Sequence, residues 1–147
     1  MPVSNTLYLL TDGGRARFVE RSRETRDFVT ISEIDGRGRL DTLRAELRSS
    51  APGRSLQSGT PARHAIGREG AFRQAKEAFV EEMADRAAEL CRKGQFQAVF
   101  IAAPGRLIAP LRRRLESQAQ IAGVVEKDLT KSPDAALGQW LGHLAAV

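Results

Sequence analysis

The sequence predicts one α/β domain: a five-stranded mixed sheet flanked by helices. Three observations carry that prediction. Three strand-like runs separated by turn residues open the chain, a long 3.6-residue periodicity follows, and beyond it strand-like and helix-like runs alternate. At 147 residues, 41% hydrophobic and 28% charged, the chain suits a single core that buries roughly two thirds of the surface its unfolded form exposes.

The first apolar run, "TLYLL" (residues 6–10), ends at "TDGGR", an Asp-Gly-Gly turn whose glycines tolerate positive φ. "ARFVERS" (16–22) resumes strand-like composition, so the two runs read as a hairpin. "FVTISEI" (28–34), with Phe28, Val29, Ile31 and Ile34 on mixed faces, completes an antiparallel meander. From Gly36 to Gly67 the periodicity dissolves into a basic, flexible connection, apart from a short amphipathic helix expected in "LDTLRAEL" (40–47), where Leu40, Leu43 and Leu47 share a face.

A long helix is expected over about residues 68–93: Phe72, Ala75, Phe79, Met83, Ala87 and Leu90 recur at steps of three and four, and Gly94 supplies the stop. "QAVFIAA" (97–103) is nearly continuous in apolar character, as a strand covered on both faces must be. "PGRLIAPLRRRL" (104–115) reads as a second helix lined by Leu107, Ile108, Leu111 and Leu115, with Pro110 expected in the first turn, where amides need no intrahelical acceptor. "IAGVVEK" (121–127) is the fifth strand. Ser132 as N-cap and Pro133 as the first helical residue then open a last helix with Leu137, Trp140, Leu141 and Leu144 on its buried stripe. Right-handed crossovers place the last two strands parallel beside the first. That element order is the one found in ribonuclease H-like and ribosomal-protein-like α/β domains, and it does not by itself give a function.

The net charge is +5, and arginine supplies most of the positive charge, because the only lysines are Lys76, Lys93, Lys127 and Lys131. Within residues 36–67, six arginines face only Asp41 and Glu46, an excess of four positive charges. Arginine forks grip phosphate and stack on bases, although arginine-rich coding bias accounts for the same composition. The lone Cys91 has no disulfide partner and falls on an apolar helix side, as a buried small hydrophobe in a reducing compartment does. The opening "MPVSNTLYLLTDGG" has no basic stretch ahead of a long apolar one, and no run approaches the roughly 20 apolar residues that span a bilayer. The expected location is the cytoplasm, without membrane contact.

Four segments carry a family resemblance: "DGGRARFVE" (12–20), "PGRSLQS" (52–58), "AAPGRLIAPLRRRL" (102–115) and "EKDLTKSP" (126–133). In order and spacing they resemble the bacterial family called host attachment protein, or protein required for attachment to host cells, over essentially the whole chain. The family positions matched are Asp12, Gly13, Arg17, Pro52, Gly53, Arg54, Pro104, Lys127, Asp128, Leu129 and Thr130. That family is similar in turn to the middle domain of archaeal and eukaryotic class-one peptide release factors. In those factors the corresponding connection carries a Gly-Gly-Gln; here it reads "LQSGTPARHAIG". The resemblance therefore implies the domain's shape without the residues of peptide release, and the family's name implies no molecular activity.

Asp12 ends the first strand, and Glu126 and Asp128 close the last, where ribonuclease H-like nucleases hold metal-binding carboxylates. The Asp-Gly-Gly turn explains Asp12 without a metal. His64 and His143 lack a partner at ligand spacing, so neither a metal nor another cofactor is expected, and no Gly-x-Ser-x-Gly is present. Arg106 stands just past a central strand, where α/β domains place ligands, and Arg112, Arg113 and Arg114 fan over the exposed side of the same helix. Residues 49–67 bury too little to order themselves, so either a partner orders them or they are a spacer.

The preferred expectation is a non-enzymatic domain that binds RNA or the ribosome through Arg54, Arg63, His64, Arg106, Arg112, Arg113 and Arg114, by arginine contacts to phosphate. The rivals are a metal-dependent nuclease or other hydrolase using Asp12 with Glu126 or Asp128, and a protein-interaction module or homodimer docking on an acidic partner.

Overall fold

The computed structural model describes the backbone of residues 5–50, 61–94 and 96–145, with side chains throughout except at 49–50, 61–66, 68 and 142–145. Five strands form one sheet: β1 (Thr6–Thr11), β2 (Arg15–Arg21), β3 (Phe28–Asp35), β4 (Ala98–Ala103) and β5 (Gln120–Glu126). Their spatial order is β3-β2-β1-β4-β5. The first three pair antiparallel, with Leu9 opposite Phe18, whereas β4 runs parallel to both β1 and β5, with Leu9 opposite Ile101. The expected mixed sheet is thus the observed one.

Alternation along β1 explains why its sequence is apolar throughout. Leu7 and Leu9 point to one face and Tyr8 and Leu10 to the other, and both faces are covered. On the first face lie α2 (Pro61–Arg92), through Phe79, Met83 and Ala87, and α3 (Gly105–Glu116), through Leu107, Leu111 and Leu115. On the second lie Leu129, Leu137 and Leu141 from the C-terminal segment, which includes a 3₁₀ turn (Asp134–Ala136) and α4 (Gly138–Ala145).

Four local features differ from the sequence reading. The short helix expected at 40–47 is α1 (Arg37–Ser50), and α2 begins at Pro61, so helix occupies much of the supposed connection. Proline's fixed φ suits the first helical position, while Gly67 and Gly70 lower the helix propensity that would have revealed this start. Pro110 lies in the second turn of α3, because the helix starts directly after Pro104; the amide it lacks is the one that would reach the Arg106 carbonyl. Ser132 is not a cap: Pro133 precedes the 3₁₀ turn, and no side-chain capping bond is made. Trp140 is 39% exposed, outside the expected buried stripe; the Leu144 side chain is outside the described residues. Cys91 is half-buried against the core, and burial pushes its thiol pKa up.

Candidate functional site

The three parallel strands end on one side of the sheet, so the turns after β1, β4 and β5 share its carboxyl edge. Asp12 builds the first of them. Its Oδ1 accepts the amides of Gly14 at 2.9 Å and Arg15 at 2.7 Å, and Gly13 takes φ +92°. A side chain at Gly13 would also stand 3.1 Å from both Lys76 and Leu107, so the turn seats α2 and α3 closely.

The segment after β5 is held down by Arg17 of β2, a residue only 6% exposed. Its guanidinium donates to the carbonyls of Leu129 at 3.0 Å, Thr130 at 3.3 Å and Ser132 at 2.5 Å, and to Asp134 Oδ1 at 2.5 Å. The planar fork, with five N–H donors, reaches more acceptors at once than the three donors of a lysine ammonium could. Burial pushes the Asp134 carboxyl up, but hydrogen bonds from the Thr30 hydroxyl and amide, then from Arg17, outweigh it and leave the pKa lowered. Because Asp134 takes the Thr30 amide at 3.1 Å, it also blunts the β3 edge against further strand pairing. The segments "DGGRARF" and "KDLTKSP" therefore meet in space, and Arg17 is the link.

Thr130 stands between two carboxylates: its hydroxyl donates to Asp128 Oδ1 at 2.6 Å and lies 3.4 Å from Asp12 Oδ2. Asp128 Oδ1 also accepts the Thr130 amide at 3.0 Å. The Glu126 carboxylate lies against Gly105, 3.3 Å from where a side chain there would begin, which suits the positive end of α3. Asp12 and Asp128 are thus engaged in shaping turns. Among the described residues no group of three or more His, Cys, Asp and Glu side chains comes together to hold a metal. Lys127 stacks its ammonium 4.7 Å from the centre of the Trp140 ring.

Beside this edge a cleft of about 700 Å³ opens between α1, α2 and the start of α3. Leu40 and Arg44 of α1 form one wall, and Glu69, Phe72, Arg73, Lys76 and Glu77 of α2 the other. Asp12, Pro104, Arg106 and Leu107 close it at the sheet edge. Phe72, Arg73, Lys76 and Glu77 stand three, four, seven and eight places on from Glu69, so the five α2 residues share a single helical face. Sequence reasoning assigned Phe72 to the core stripe and passed over its charged companions, although the same periodicity marks them. The Arg44 guanidinium covers the Phe72 ring at 5.4 Å.

Ion pairing sorts the basic residues. Arg37 pairs with Asp35 at 2.7 Å, Arg39 with Glu82 at 3.3 Å and Arg44 with Asp41 at 3.1 Å; Asp35 and Glu82, from outside the segment, offset two of the four excess charges counted in the connection. Arg114 forks onto Asp85, with 2.9 Å to each oxygen, and this bond holds the Asp85 carboxyl below its ordinary pKa. Arg73, Lys76 and Arg106, all exposed and all on the cleft, have no ion-pair partner among the described residues. Arg112 and Arg113 are exposed farther along α3, about 9–10 Å from Arg106 at the rise of a helix. Pro52, Gly53 and Arg54 lie outside the described residues, as do the side chains of Arg63 and His64; His143 likewise has only its backbone described.

Fold and site together define a single-domain α/β protein with a charged cleft at the carboxyl edge of its parallel strands, where such folds place ligands. The chain belongs to the family described as "Protein required for attachment to host cells", whose model matches residues 8–141. No curated protein matches the chain. No helix among the described residues is long and apolar enough to cross a membrane.

Proposed function

We propose that this chain is a non-enzymatic RNA-binding domain that associates with ribosomal particles through phosphate contacts at its carboxyl edge. One observation carries the reading: Arg73, Lys76 and Arg106 surround one cleft and are free of ion pairs among the described residues, while Arg37, Arg39, Arg44 and Arg114 are each paired. An unpaired cation surrenders no protein partner when it meets a phosphate, so these three give the most to a polyanion. The release-factor middle domain that the motif resemblance implies, without a Gly-Gly-Gln, agrees with an RNA partner and a non-catalytic role.

The test is co-sedimentation of the tagged protein through a sucrose gradient at low and high salt. Salt-sensitive movement with ribosomal particles is expected. It should be lost when Arg73, Lys76 and Arg106 are changed to Ser, and kept when Arg37 and Arg39 are changed instead. Migration at the top of the gradient under both salt conditions would overturn the reading and favour a protein partner.

A further inference from the structure

We propose that the cleft receives one nucleotide of single-stranded RNA, with its phosphate against Arg73, Lys76 and Arg106 and its base on the Phe72 ring. This deepens the RNA reading above and rests on it. Phosphate contacts alone would need no concavity, and an exposed basic face would serve as well. This site is concave, and its volume of about 700 Å³ falls in the range of pockets that enclose small ligands. A duplex keeps its bases stacked inside and cannot offer one to such a pocket, whereas a single strand can splay a base out.

The chemistry inside the cleft matches the parts of a nucleotide. Phe72 is half-buried, and the group over its ring is the Arg44 guanidinium, a planar cation that stacks as a base would. Arg44 is held by Asp41, whose side chain is 71% exposed, so the bond restraining it is weak and Arg44 can yield its place or sandwich an entering base. Glu69 and Glu77 stand on the same helical face as Arg73 and Lys76 and offer acceptors to ribose hydroxyls or base amino groups. They also limit the positive field, so the cleft suits the single charge of one phosphodiester better than the stacked charges of a polyphosphate.

The test is fluorescence anisotropy of the full chain with a labelled oligouridine of about a dozen nucleotides, a length within single-strand site sizes, and with the same strand in duplex. Phe72→Leu should weaken single-strand binding about ten-fold and leave duplex binding unchanged, because the stacking platform is lost while the cations stay. Phe72→Tyr should restore it, and circular dichroism melts confirm that both variants fold. Ultraviolet crosslinking of the oligouridine should map to residues 69–77. Binding of both RNAs with no effect of Phe72→Leu, or a crosslink confined elsewhere, overturns the nucleotide pocket and leaves the RNA reading standing. Failure of both RNAs to bind at low salt overturns both readings.

Discussion

Truncating Arg17 would strip hydrogen bonds from the carbonyls of Leu129, Thr130 and Ser132 and remove the counter-charge of Asp134. Loss of one partner of a buried ion pair costs about 3–5 kcal/mol, and the 40% exposure of the Asp134 side chain places Arg17→Ala near the low end of that range. Urea unfolding at neutral pH should show the loss. Its pH dependence follows from Asp134, whose lowered pKa stabilises the fold above the ordinary carboxylate value of about 4 and ceases to do so as pH falls through the folded value. The gap between parent and variant should therefore narrow as pH drops below about 4; a constant gap would show that the Arg17–Asp134 charge pair contributes little. In the sequence Arg17 is one arginine of a motif. Apart from Thr30, its partners Leu129, Thr130, Ser132 and Asp134 lie more than a hundred residues away, a distance no local pattern reports.

The junction of β3 with α1 gives the test at the level of elements. Gly36 donates its amide to the Gly14 carbonyl at 2.7 Å, and a side chain at Gly36 would begin 2.5 Å from the Phe79 ring. Phe79 is 4% exposed in the core under α2, so it has little room to retreat. Gly36→Ala should cost about 1–3 kcal/mol by overpacking, and adding Phe79→Leu should return part of that loss. Equal destabilisation by the single and double variants would refute the clash as the cause. The strands were legible because period two, the Asp-Gly-Gly turn and the unbroken "AVFIAA" run each report local geometry. Helix ends were less so. Gly67 and Gly70 hid the first turns of α2, Leu40 to Leu47 revealed only the middle of α1, and the cleft face of α2 was overshadowed by the apolar stripe beside it.

Across the whole molecule, net charge and usable charge are different quantities. Counting residues placed the positive excess in the segment from 36 to 67, yet three arginines there meet Asp35, Glu82 and Asp41. Two of those acids, Asp35 and Glu82, lie outside that segment, so the compensation emerges only on folding. What remains unpaired on one concave surface is Arg73, Lys76 and Arg106, drawn from two helices that the sequence separates widely. Each phosphate a protein neutralises on a single strand adds about 0.7 to the slope of log affinity against log salt. The three cleft cations meet one phosphate, so changing all three to Ser should lower that slope by about 0.7, a difference readable from anisotropy titrations at several salt concentrations. Changing Arg37 and Arg39 together removes a similar formal charge but exposes Asp35 and Glu82, so its effect should be weaker affinity through the general field with the slope nearly unchanged. Equal loss of slope in the two variants would mean that RNA senses the protein's total charge rather than this cleft, and the carboxyl edge would lose its claim as the binding surface.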